Sequence, residues 1–465
     1  MIVQQFFTPG IAHSSYLLGG DKTCAIVDPR RDVQIYLDAA AELGLKITHV
    51  LETHLHADFV SGHLDLADLT GARIYAPAQG VCSFECELLV EGDRFKLEDM
   101  EIAVLETPGH TPEHISYVVR DLARGDEPVA VFCGDTLFVG DVGRPDLFPG
   151  QAYELASRLF DSLHGKLLAL PDFCEVYPAH GAGSLCGRAM AAKRSSTIGY
   201  ERRFNPALQI ADRERFIYSL THDMPAAPDH FSRCSAINAA GPALLRALPP
   251  LQPISPQALA ARMAQGDVTV LDVRGFENFS GMHIPGAWNV DFFLNFATFA
   301  GWVLPPDKDI VLVAEGPAQA LDAAVWLRRV GFDTIPGYLA GGMIEWAMAG
   351  LPLDRVPLLS AAQFRQMSTG ERPIALVDVR TVEEFAKGHI AGAVNIPTPD
   401  LRTRHRELDP TLPTVVTCGS GRRSSLSASI LKMNGFREVY NLAGGMSAYD
   451  AAGYPLDCPA CVSGG

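Results

Sequence analysis

The 465 residues predict an α/β protein in three parts: a large N-terminal domain followed by two tandem domains with parallel sheets covered by helices. Three observations predict it. Short apolar runs rich in β-branched residues alternate with segments of helical spacing, the pattern of strands joined by crossover helices. Two internal stretches repeat each other at a period of roughly a hundred residues, too long for a solenoid and the size of a whole domain. A proline-rich segment, "LRALPPLQPISP" (245–256), precedes the repeats and reads as a linker. With a second boundary near "LPLDRVPLLS" (351–360), the expected domains are 1–245, 254–355 and 356–465.

Composition narrows the class. Hydrophobic residues make up 48% and charged residues 20%, as in ordinary globular proteins. A formal charge of −16 argues against nucleic acid and against an anionic membrane surface as partners. No apolar run approaches the length of a bilayer span. The N-terminus, "MIVQQFFTPGIAHSSYLLGG", reads as two short strands joined by a turn at Pro9-Gly10. It lacks a basic segment followed by an apolar core, so a cytoplasmic location is expected. Ten cysteines are scattered along the chain and are expected to be mostly thiols. Cys82/Cys86 and Cys458/Cys461 are the close pairs; "CPAC" at 458–461 reads as a frayed Gly-rich terminus, not a redox dithiol.

In the first domain, "ITHVLETHLH" (47–56) is an apolar run ending at histidines, and "GHLDLADLTG" (62–71) has helical spacing. His54, His56 and Asp58 therefore sit on a strand-to-helix loop. Further on, His110, Asp135 and His180 each follow an apolar run. Loops at strand ends along one sheet edge can converge on a point, and imidazole with carboxylate suits zinc or iron. The succession T-H-x-H-x-D, G-H-T, G-D and a late H-G resembles the metallo-β-lactamase superfamily over about the first 245 residues. That resemblance implies an αββα sandwich with the site between its sheets.

Two-metal members of that superfamily carry a histidine directly after the residue equivalent to Asp58. Here the position is Phe59, which has no lone pair. "GDTLFVGDVGRPDL" (134–147), with Gly143-Arg144, and "GYERRFNPAL" (199–208) resemble the persulfide dioxygenases, the mononuclear iron branch. The resemblance implies one Fe(II) per chain, with zinc as the alternative metal. Its ligands would be His54, His110 and Asp135, a facial triad that leaves positions open for a substrate sulfur and O2. His56, Asp58 and His180 would orient ligands or bound water. The competing expectation is a dizinc, glyoxalase II-like thioester hydrolase, which needs a bridging hydroxide.

The third domain carries "TVVTCGSGRRSSLSASILKMNGF" (414–436), a strand, a tight loop and a helix. Cys418 ends the strand and faces the helix N-terminus, where loop amides, Arg422 and Arg423 favour a thiolate and an anionic adduct. Cys418 to Arg423 is C-x4-R, one residue shorter than a phosphatase cradle. The loop resembles that of rhodanese, as do the D-V-R, G-H-I-x-G-A and G-G-M segments spanning 356–457. By that resemblance Gly419, Ser420, Gly421 and Ser424 help to hold a persulfide sulfur, while Asp378 and Arg380 are structural. The second domain repeats the frame without the centre. Ala314 falls at Cys418, Pro317 at Gly421 and Gln319 at Arg423, so it reads as a non-catalytic spacer or docking module.

The fusion suggests a shared substrate. The expected activity is oxidation of a low-molecular-weight persulfide, glutathione persulfide, to sulfite with O2. A Cys418-dependent exchange of sulfane sulfur with thiosulfate or sulfite would accompany it. Arg144 and Tyr177 are expected to hold the carrier's carboxylate. The oligomeric state is left open.

Overall fold

The computed structural model describes residues 1–457 other than 189, 223 and 294, so the Cys458/Cys461 pair lies outside the described residues. The chain separates into two compact units, Met1–Leu248 with Leu327–Gly331, and Pro249–Trp326 with Phe332–Gly465. No helix among the described residues is long and apolar enough to cross a membrane.

The first unit is a four-layer αββα sandwich. One six-stranded sheet runs in chain order: Ile2–Thr8, His13–Gly19, Thr23–Val27, Lys46–Leu51, Arg73–Pro77 and Glu87–Leu89. The other orders its strands Ser196–Thr197, Glu175–Pro178, Pro128–Gly134, Ile115–Asp121, Met100–Glu106 and Arg94–Leu97. Side chains alternate across a strand, and the two cores show it. Tyr16, Leu18, Ala25 and Val27 meet Ile102, Val104, Tyr117 and Val119 between the sheets. Their neighbours Leu17, Cys24 and Ile26 face the opposite way, toward Tyr36, Ala40 and Leu66 of the helices Gln34–Glu42 and His63–Thr70. Both faces are buried, which is why Thr23–Val27 reads as an almost continuous apolar run.

The second unit holds two parallel five-stranded sheets, one drawn from strands within 252–339 and one from strands within 358–442. The repeated sequence is a repeated hydrogen-bonding frame. Arg274 clasps Asp272 and donates to the Met282 carbonyl, and Arg380 clasps Asp378 and donates to the Gly388 carbonyl. Asn289 donates to the carbonyls of Asp272 and Arg274, as Asn395 does to those of Asp378 and Arg380. His283 stacks on Phe279 at 3.8 Å and His389 on Phe385 at 3.7 Å. Strand pairing sets Val313 opposite Asp272 and Thr417 opposite Asp378, so the residues that follow, Ala314 and Cys418, occupy corresponding places.

Candidate metal centre and sulfur-transfer loop

The candidate ligands arrive from both sheets, not along one sheet edge as the sequence pattern suggested. The loop after Lys46–Leu51 carries His54 from the first sheet. The loops after Met100–Glu106, Pro128–Gly134 and Glu175–Pro178 carry His110, Asp135 and His180 from the second. His54, His110 and Asp135 are all fully buried.

Hydrogen bonds aim the three. The His54 Nδ1–H donates to the Thr53 hydroxyl at 3.0 Å, which in turn donates to Asp28 at 2.9 Å. The His110 Nδ1–H donates to the Arg144 carbonyl at 2.9 Å. Each imidazole is thereby fixed in the tautomer whose Nε2 lone pair is free. Those two Nε2 atoms are buried without a hydrogen-bond partner among the described residues. They lie 3.9 Å and 3.4 Å from Asp135 Oδ2, and the three ligand atoms fall within 4.8 Å of one another. Burial and the surrounding histidines push His54 well below the ordinary imidazole range, and burial lowers His110 as well. Neutral imidazoles converging with one carboxylate fit a divalent iron or zinc ion.

Around the triad, His180 places Nδ1 2.8 Å from Asp135 and Nε2 2.8 Å from Asp58, so it spans the two carboxylates. The His56 ring packs 4.1 Å from that of His54, and its Nε2 lies 3.2 Å from Asp28. Asp28 serves both histidines from a left-handed backbone, φ 49°, a strained conformation for a residue with a Cβ. Gly143 comes so close to the Asp135 carbonyl oxygen that a Cβ there would lie 1.9 Å from it, which explains the glycine before Arg144. Phe59 is fully buried in the middle of this arrangement, its ring 4.1 Å from His13 and 4.4 Å from His56. Two further groups, Asp58–His180–Cys186 and Asp28–Glu52–His56, also bring potential ligand atoms within 4.8 Å.

In the second unit the strand Thr414–Thr417 delivers Cys418 to the helix Arg422–Met433. The Gly421 amide donates to Cys418 Sγ at 3.1 Å, and the Ser424 hydroxyl lies 3.3 Å from it. Asn441 locks the loop by accepting from Ser424 and donating to the Gly421 carbonyl. The G-G-M segment braces it from below, where the Met446 amide donates to the Cys418 carbonyl at 2.7 Å. A Cβ on Gly445 would lie 2.2 Å from that carbonyl oxygen, at φ 54°. Gly445→Ala is therefore expected to displace Cys418 and to cut any Cys418-dependent sulfur transfer about a hundredfold, on the scale of an ångström-sized misplacement. Assaying transfer in the folded variant checks this.

The comparisons follow the same division. The metallo-beta-lactamase superfamily model matches residues 8–180, and the rhodanese-like domain model matches 255–349 and 360–452. A metallo-beta-lactamase crystal structure from Staphylococcus aureus subsp. aureus COL is 34% identical, with a TM-score of 0.65 over 73% of this chain and 98% of that one. The chain is a metallo-beta-lactamase superfamily protein with two rhodanese-like domains. Among curated relatives, a hydroxyacylglutathione hydrolase from Rhodospirillum rubrum is 40% identical over 34% of this chain, a match spanning 57% of that protein. A mitochondrial persulfide dioxygenase from Mus musculus is 29% identical over 46% of this chain and 78% of its own length.

Within the metallo-beta-lactamase domain, two expected substrate contacts have other surroundings. Arg144 is 2% exposed and its guanidinium is engaged. It clasps Asp146 at 2.6 Å and 2.7 Å and donates to the carbonyls of Leu185 and Pro225. Its link to the centre is the carbonyl that holds His110. Tyr177 donates to Glu175 and stacks on Phe132 at 5.1 Å, packed against the core between the sheets. The "GYERRFNPAL" segment is a brace: buried Glu201 and Asn205 hold the 138–141 loop that follows Asp135. Sequence reasoning missed His114 and His13. His114 stacks on His54 at 4.8 Å and accepts from the Asp135 amide, although "GHTPEH" displayed it. His13, fully buried against Phe59 and 5.5 Å from the His180 ring, belongs to no motif and gave no signal.

Within the rhodanese-like domains, both arginines of the loop are paired. Arg423 clasps Glu384 at 2.6 Å and 2.7 Å, a bond that holds the Glu384 carboxyl down to about 2. Arg422 reaches Asp291 of the middle domain at 3.2 Å. Of the two roles the sequence left to the middle domain, spacer or docking module, this contact with the loop of its neighbour favours the second.

Proposed function

We propose that this chain is a persulfide dioxygenase with an attached sulfurtransferase. A low-molecular-weight persulfide, glutathione persulfide in our reading, reacts with O2 and water to give the thiol and sulfite. Cys418 exchanges sulfane sulfur with thiosulfate or sulfite and so makes or consumes that persulfide. We place it in the cytoplasm and take 1–245, 254–355 and 356–465 as its working domains. The observation that carries this reading is Phe59. At the sequence position where the two-metal members of the superfamily carry a histidine, this chain has an aromatic ring, buried against His13 and His56 beside a triad suited to one ion.

His54, His110 and Asp135 would hold Fe(II), which supplies the redox chemistry that joins O2 to a persulfide sulfur. The residues around them do the positioning. Thr53 and the Arg144 carbonyl fix the two imidazoles, and His180 holds the Asp135 carboxylate ionised from the far side. The other reading, thioester hydrolysis at two zincs, draws on the Asp58–His180–Cys186 group and on the hydrolase relative. Metal analysis of the purified chain with two assays separates them. The expected result is about one iron per chain with persulfide-dependent oxygen uptake. Two tightly held zincs, thioester cleavage and no oxygen uptake would replace the proposal with the hydrolase.

A further inference from the structure

We propose that the middle domain, which has no nucleophile of its own, forms the binding site for the organic part of the thiol that takes sulfur from Cys418. This rests on the sulfurtransferase reading above. A cavity of about 400 Å³ opens beside the Cys418 loop, within the range that takes small-molecule ligands. Ser420, Arg422, Arg423 and Leu426 form one side, and Asp291, Phe293 and Phe299 of the middle domain are among the residues of the other. The two sides are fixed to each other by buried hydrogen bonds: Ser425 donates to Asn289 at 2.6 Å, and the Asn289 amide donates to Ser429.

The lining is wrong for a purely inorganic exchange. Thiosulfate and sulfite are small, strongly hydrated anions that gain nothing from apolar walls. Yet Phe293 is 51% exposed at the cavity, with the Arg422 guanidinium 3.8 Å over its ring. An exposed aromatic face next to a cation suits a ligand with an aliphatic body and a carboxylate. The Arg422–Asp291 contact at 3.2 Å marks where that carboxylate would bind, exchanging with Asp291. The class is therefore a carboxylate-bearing low-molecular-weight organic thiol. Its thiolate attacks the outer sulfur of the Cys418 persulfide. The Cys–S–SH sulfur–sulfur bond breaks, the new R–S–SH bond forms, and the electron pair returns to Cys418 Sγ, so no external oxidant or reductant is needed.

The test charges Cys418 from thiosulfate and compares two acceptors, glutathione and cyanide, in the wild type and in Phe293→Ala. Phe293 is half exposed, so its loss leaves the fold intact. The ratio of kcat/KM for glutathione to that for cyanide is expected to fall at least tenfold, through a higher KM for glutathione. Asp291→Asn, which weakens the competitor for Arg422, is expected to lower that KM. An unchanged ratio in Phe293→Ala, or an equal loss with both acceptors, overturns the proposal. Failure of the wild type to transfer sulfur to either acceptor would instead overturn the sulfurtransferase reading on which it stands.

Discussion

Alanine at His54, His110 or Asp135 is expected to abolish persulfide-dependent oxygen uptake and to strip the chain of iron. Each substitution removes one of three converging ligand atoms. Residues behind metal ligands are each worth about 10–100-fold in affinity or activity, so a ligand itself should cost more than ~100-fold. His180→Ala supplies the internal comparison. It removes the imidazole between Asp135 and Asp58 but no ligand, and should fall within the 10–100-fold range while keeping measurable iron. Phe59→His tests the other half of the argument by placing a lone pair beside His13 and His56. Metal content rising above one per chain in that variant would identify the aromatic ring as what excludes a second ion. Any triad variant that kept both its iron and its oxygen uptake would remove the basis for the assignment.

Cys418→Ser should separate the two activities. Serine keeps the size of the side chain and can still accept from the Gly421 amide, but a hydroxyl is a far poorer nucleophile than a thiolate and cannot carry sulfane sulfur. Transfer from thiosulfate should vanish. Oxygen uptake with pre-formed persulfide should stay near wild type, since the triad belongs to a different domain. Oxygen uptake driven by thiosulfate plus thiol should fail, because nothing then makes the persulfide. Loss of pre-formed persulfide oxidation, with iron and folding intact, would require Cys418 to take part in the oxidation itself.

What the sequence disclosed and what it hid have physical reasons. Strand-end histidines and a repeated D-V-R frame are local patterns, and both correspond to compact local structures: the His54–Thr53–Asp28 chain of bonds and the Asp378–Arg380–Asn395 clasp. The tandem domains were legible because one hydrogen-bonding frame occurs twice. Partners supplied across the fold were not legible. Of the partners of Arg144, Asp146 lies two residues on in the sequence, but nothing adjacent announces the carbonyls of Leu185 and Pro225. His13 reaches the centre from a strand far upstream, held by its bridge to His180 and by Ala12 at φ 52°, and a lone histidine in a strand carries no pattern. The Asp291 and Glu384 carboxylates that balance the loop arginines were hidden for the same reason.

The bonds that cross from Asn289 to Ser425 and Ser429 also bear on how the tandem pair comes apart. Each buried hydrogen bond contributes on the order of 1 kcal/mol only while both partners are folded. Losing either domain leaves polar groups of the other stranded: Asn289 sits at the end of one sheet and the serines on the helix behind the other's loop. Melting should therefore be concerted. Calorimetry should find the two rhodanese-like domains in a single transition, and the C-terminal one expressed alone should unfold at a lower temperature than it does beside its silent twin.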